Sequence, residues 1–151
     1  METEKQDLFK VIPSYKLFSA ESIRVGAFVG GPLVAAWLMH ENEKKTGRTG
    51  KEWFIWLTAI GVMVLAFAVA FILPENMPSF LIALIYSFAA SGFANYVQGD
   101  ILKAHETAGG LFWSRWRAAG IALIGTVIMV GIYFGIFLLL DQYFGVNIPG
   151  E

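Results

Sequence analysis

The chain contains no cysteine. Disulfides, thiolate nucleophiles and cysteine-held metals are thereby excluded, while the redox compartment stays open. Charge is scarce as well. Asp, Glu, Lys and Arg make up 15% of the 151 residues, against roughly 25% in an average soluble domain. A net charge of −1 offers no basic surface to nucleic acid. Histidine occurs twice, as His40 and His105. Residues 1–22 are mixed in charge and broken by Pro13, so a cleavable signal peptide is not expected there.

The apolar residues fall in blocks. Trp53–Leu73, Ser79–Val97 and Ala118–Leu140 run for twenty-one, nineteen and twenty-three residues without a charge. About 20 apolar residues carry a helix across a hydrocarbon core of roughly 30 Å. A soluble helix of that length would need a charged stripe, and none of the three has one. The pattern predicts an all-α membrane protein with four embedded helices at about 22–39, 53–73, 79–97 and 118–140. They form a single membrane domain over 19–140, between a polar tail at 1–18 and a short tail at 141–151. Ser19 is placed to cap the first helix, with Glu21 in its first turn. The prolines of Pro-Glu-Asn-Met-Pro (74–78) predict a tight helical hairpin between the second and third helices.

The first segment admits two readings. Fifteen residues separate Arg24 from His40, with Gly30-Gly31-Pro32 between them. At 1.5 Å per residue they span about 22 Å, short of the core, and the Gly-Gly-Pro break allows a re-entrant hairpin. Extension back to Ser22 favours a crossing. Arg24 would then snorkel to the headgroups and avoid the ~2.5–3.5 kcal/mol cost of a central arginine. Crossing is the preferred reading and re-entry the alternative. Lys44, Lys45, Arg48 and Lys51, and Lys103, Arg115 and Arg117, put the connectors 40–52 and 98–117 in the cytoplasm and the C-terminus outside. Trp37, Trp53, Trp56, Trp113 and Trp116 cluster beside those same connectors, as interfacial tryptophans do.

Helices in lipid associate through small residues and hydrogen bonds. Gly30 and Gly31 with Pro32 in the first segment, and Gly131 and Gly135 in the fourth, are candidate packing motifs. Ser87, Ser91 and Asn95 recur every four residues, an uncharged polar stripe on the third helix. The connector carries Gln98, Gly99, Asp100, His105, Gly109, Gly110, Arg115 and Arg117. Its glycines permit close backbone approach, and its arginines suit a lipid phosphate or a protein loop. His40, His105, Asp100 and Glu106 are candidate metal ligands by residue type, but their spacing matches no zinc pattern. No metal and no cofactor is expected.

Two stretches carry a resemblance. Phe18, Ser19, Ile23 and Gly30-Gly31-Pro32-Leu33 form one. Gln98, Gly99, Leu102, His105, Gly109, Gly110, Ser114 and Trp116 form the other. Together they resemble a group of small bacterial multi-spanning inner-membrane proteins of uncharacterised function. The resemblance implies a bacterial inner-membrane location and no activity. The expected function is a scaffold, accessory subunit or lipid-contacting module, with no catalytic residue. The rival is a small oligomeric transporter or channel with its path along the polar stripe. Expected partners are membrane lipids, and either further copies of the chain or another protein.

Overall fold

The computed structural model of the chain describes residues 12–48, 50–72, 78 and 80–144. They form four helices: α1 (Ala20–Thr46), α2 (Glu52–Ile72), α3 (Phe80–Thr107) and α4 (Arg115–Phe144). All four are long and apolar enough to cross a membrane, and the protein is a multi-pass, all-α membrane protein. Among the described residues the one β feature is an isolated bridge between Leu17 and Phe112.

α1 uses its length to enter and return, so the preferred reading of a crossing is corrected in favour of re-entry. Gly31 has φ 82° and ψ 179° inside the helix, a conformation that side chains essentially forbid. It divides α1 into an inward limb, 20–30, and an outward limb, 32–46. Pro32 opens the second limb, where its missing N–H costs no bond. The limbs fold against each other: a Cβ on Gly26 would strike Leu38 and lie 3.7 Å from Val34. At the open end the Phe18 N–H donates to Asn42 Oδ1 at 2.7 Å. A straight helix would hold those residues about 36 Å apart. The turn lies about 20 Å from Phe18, short of the ~30 Å core.

A reversal within hydrocarbon strands backbone carbonyls, which must find partners inside the protein. Thr126 of α4 supplies one. Its Oγ1 lies 3.0 Å from the Val29 carbonyl at the end of the inward limb, and 3.0 Å from its own Ala122 carbonyl. The close approach that this needs comes from small residues. A Cβ on Gly30 would be 3.0 Å from Ala122, and one on Gly125 would be 2.9 Å from Val34. Ala118 and Ala122 are fully buried.

This hairpin is the hub. α2, α3 and α4 each pack on α1; α2 and α3 approach each other at few points, and among the described residues the α4 backbone comes close to neither. The core is accordingly α1-centred: Ile23, Ala27, Leu38 and Met39 with Ile55, Ala94 and Ala122.

The helices also outrun their apolar segments. α1 continues to Thr46 and stops at Gly47, whose φ of 69° suits glycine. α3 continues to Thr107, and Gly109 has φ 79°. The connectors thus shrink to 47–51 and 108–114. Ser19 caps α1 as expected, accepting from the Ser22 N–H at 3.2 Å. Nor is the polar tail loose up to residue 18, since Leu17 and Phe18 are buried. Pro78 accepts from the Leu81 N–H at 3.0 Å, in the first turn of α3; the rest of the expected Pro-bounded turn lies outside the described residues.

Re-entry puts Ser14 and Lys51 on one face and Pro78 on the other. In this cysteine-free chain, Ser14→Cys and Lys51→Cys are expected to react with an impermeant maleimide from the same side, and Pro78→Cys from the opposite side. Reaction of Ser14→Cys together with Pro78→Cys would restore the crossing. Gly31→Ala is expected to cost about 1–3 kcal/mol and Thr126→Val about 0.6–1.7 kcal/mol, both read as lost thermal stability in detergent.

Candidate functional site

The polar residues gather where the hairpin closes. Asn42 and Glu43 lie on the outward limb of α1 and Gln98 on α3, all buried. The Asn42 amide reads the Phe18 backbone twice, since Nδ2 donates to the Phe18 carbonyl at 2.8 Å while Oδ1 accepts its N–H. Asn42 Nδ2 also donates to Gln98 Oε1 at 3.2 Å. Gln98 Nε2 donates to the Met39 carbonyl and to Glu43 Oε1, each at 2.8 Å. One residue of α3 thereby holds three residues of the outward limb, and Asn42 among them holds the chain just before the inward limb. The second Glu43 oxygen has no hydrogen-bond partner among the described residues, and Arg48 Nε lies 3.9 Å away.

His105 is seven residues beyond Gln98, two turns on and on the same face. Its ring stacks on Tyr15 and meets Phe112 edge-on, both at 5.2 Å between centroids. Nε2 lies 3.0 Å from the Leu111 carbonyl. A carbonyl only accepts, so Nε2 carries the proton. A Cβ on Gly110 would overlap that ring, which gives Gly110 its physical requirement. His105 thus docks the strand-like segments 15–17 and 111–113 on each other, where the Trp113 N–H donates to the Leu17 carbonyl at 2.8 Å.

The connector residues proposed as one binding site are not brought together. Gln98, His105 and Gly110 are structural neighbours of α1 and of the 108–114 loop. Gly109 turns the chain. Gly99 has nothing near its missing side chain, and Asp100 is exposed. Arg115 pairs with Glu21 at 3.3 Å, and Arg117 lies over the Trp113 ring at 3.7 Å. His40 is 3.9 Å from Glu52, and among the described residues no three His, Asp or Glu side chains converge.

The polar stripe on α3 also separates. A spacing of four residues turns 400°, so each step advances 40° around the helix. Ser87 is buried, Ser91 half-buried and Asn95 exposed. The Ser87 and Ser91 hydroxyls donate to their own helix, to Leu84 and Phe88 carbonyls at 2.7 and 3.0 Å. Within one chain they enclose no path. Gly131 and Gly135 have nothing within 4 Å of an added Cβ, so the glycines that pack α4 on the hub are met earlier, at Gly125 and its neighbours.

Arg24 departs from the snorkelling expected of it. Its guanidinium lies 4.9 Å from the Phe88 ring centroid. Phe88 is ten residues, about 15 Å, into the membrane from Gln98, while Arg24 is six residues, about 9 Å, in from Phe18. The side chain therefore points inward, away from the near headgroups.

On the other side of α3, the gap between α2 and α3 holds two apolar cavities. One, of about 250 Å³, lies against Pro32, Ala36, Ala59 and Ala90. The other, of about 430 Å³, runs toward Pro78 past Leu65, Val69 and Ile82. They share Val62, Tyr86 and Ala89 and so form one groove. No protein-family model, curated protein or solved structure matches this chain.

Gln98→Leu is expected to leave Glu43 Oε1 and one Asn42 donor without a partner, at about 1–3 kcal/mol for each group left dry. Thermal unfolding in detergent reads the loss, and an unchanged midpoint would show that water already reaches the network.

Proposed function

We propose that this chain is a lipid-contacting module of the bacterial inner membrane, with no catalytic role. The observation that carries the proposal is the α2–α3 groove. Two helices joined by a short link and held by the same hub leave a continuous apolar space between them, at membrane depth and open to the bilayer. Its walls are apolar apart from Thr58 and the Tyr86 ring. Such walls give no hydrogen-bonded path to a polar solute, whereas an acyl chain gains dispersion contacts on every side.

The basic residues support a cytoplasmic placement of the end where α1 opens. Lys16, Lys44, Lys45, Arg48, Lys51, Lys103, Arg115 and Arg117 all belong to that end, as positive-inside insertion favours. On this reading the C-terminal end of α4 lies outside. The open glycines Gly131 and Gly135 would face a further copy of the chain or another membrane protein.

Native mass spectrometry from mild detergent tests the groove. The wild type is expected to retain phospholipid, and Ala89→Trp, which fills the space shared by the two cavities, to retain less than half as much. Equal retention would remove the groove as the lipid site. Solute flux conferred on proteoliposomes by the purified protein would instead favour the transporter reading.

A further inference from the structure

The opposite side of α3 presents different chemistry. Among the described residues the backbones of α3 and α4 stay apart, and the inward limb of α1 shows between them through half-buried Arg24 and exposed Phe28 and Val29. Arg24 makes no hydrogen bond and has no carboxylate within 4.0 Å among the described residues; Glu21, one turn back, is engaged with Arg115 at 3.3 Å. The face of Phe88 attracts the cation but accepts none of its five N–H donors through oxygen. Phe88 and Asn95, seven residues apart, lie within about 20° of one stripe of α3, with Asn95 exposed nearer the connector end. The Asn95 amide therefore stands between that end and the guanidinium, along an opening that faces the bilayer.

We infer that Arg24 binds the phosphate of an anionic phospholipid headgroup, drawn from the connector-side leaflet into the opening between α3 and α4. A charged group this far into hydrocarbon is costly unless it meets a partner, and the planar guanidinium fork matches phosphate oxygens in pairs. The Asn95 amide stands where it can donate to the same headgroup, and Phe28 and Leu84 border the path of the acyl chains. Because the opening faces lipid and not water, the phosphate arrives on a lipid. The site lies across α3 from the α2–α3 groove and stands whether or not that groove holds a chain.

The test is competition between phosphatidylglycerol and phosphatidylcholine in equimolar mixed micelles, with bound lipid counted by native mass spectrometry. Wild type is expected to enrich phosphatidylglycerol about fivefold to tenfold, and Arg24→Gln to fall within about twofold of parity. Arg24→Lys keeps the charge without the fork and is expected to lie between them. Should Arg24→Gln fail to fold, Arg24→Lys decides: enrichment equal to wild type would overturn the site. Wild-type parity, or full enrichment by a folded Arg24→Gln, would overturn it as well. Loss of the enrichment in excess inorganic phosphate would show a site for free phosphate and overturn the lipid assignment. Ala89→Trp is expected to leave the ratio unchanged while lowering total bound lipid, which separates this site from the groove.

Discussion

A chain that turns back inside a membrane must satisfy its own backbone, and the whole arrangement here depends on how it does so. Hydrocarbon offers no hydrogen bond, so carbonyls released at a reversal have to be met by protein. Gly31 makes the turn sterically possible, with φ 82°. Pro32 begins the next limb without wasting a donor. Thr126 reaches the Val29 carbonyl from α4. Because α4 must come close enough for a hydroxyl to bridge, its facing residues are Ala118, Ala122 and Gly125. The requirement for a hydrogen bond thus fixes the packing, and the packing makes the hairpin the element on which α2, α3 and α4 all rest.

The open end of the hairpin is held by a second device. The limbs would splay if only van der Waals contacts joined them. Instead Asn42 grips the Phe18 backbone, and Gln98 links Met39 and Glu43 to α3. His105 then fastens the loop between α3 and α4 beneath Tyr15. Asn42, Glu43, Gln98 and His105 are buried, which makes them specific: the amide pairs have one geometry that leaves little dry. Apex and open end together define α1 as a wedge that stops short of the far side of the bilayer.

The sequence shows some of this plainly and hides the rest. Three charge-free runs identify α2, α3 and α4 because hydropathy measures lipid contact directly. Their true ends are less visible, since hydropathy marks where lipid stops and not where the helix stops. Asp100 to Thr107 remain helical in water until Gly109 turns the chain. Gly30-Gly31-Pro32 signals a break, but local sequence cannot distinguish a kinked crossing from a reversal. The deciding group, Thr126, stands ninety-seven residues from the carbonyl it meets. The small-residue signal is incomplete in the same way: Gly131 and Gly135 meet nothing among the described residues, because the hairpin has already turned back before that depth. Ser87, Ser91 and Asn95 look collinear until the 40° step is counted. Gln98 and His105 stand out in the sequence as candidates, and both are central, but to closure of the hairpin and not to a shared ligand site.

The wedge has a consequence for the part of the bilayer beyond its apex. Protein packing is dense only as far as the apex at Gly31, which lies about 20 Å from Phe18. Beyond it, α2, α3 and α4 must continue across with no hub between them. Their exposed side chains there are Val64, Leu65, Ile72, Ile85, Val127, Ile128 and Phe134, apolar on every side that the described residues show. A vacuum cannot persist beneath the apex, and water would leave these surfaces wet at large cost. Acyl chains, or equivalent apolar helices, would then complete the structure beyond the apex as α1 completes it on the near side. The two sides of α3 also differ in chemistry: the opening toward α4 carries Arg24 and Asn95, and the groove toward α2 runs from Met39 and Ile55 to Pro78 between apolar walls broken by Thr58 and the Tyr86 ring. A lipid bound as we propose is met by its headgroup on one side of α3 and by its tails on the other.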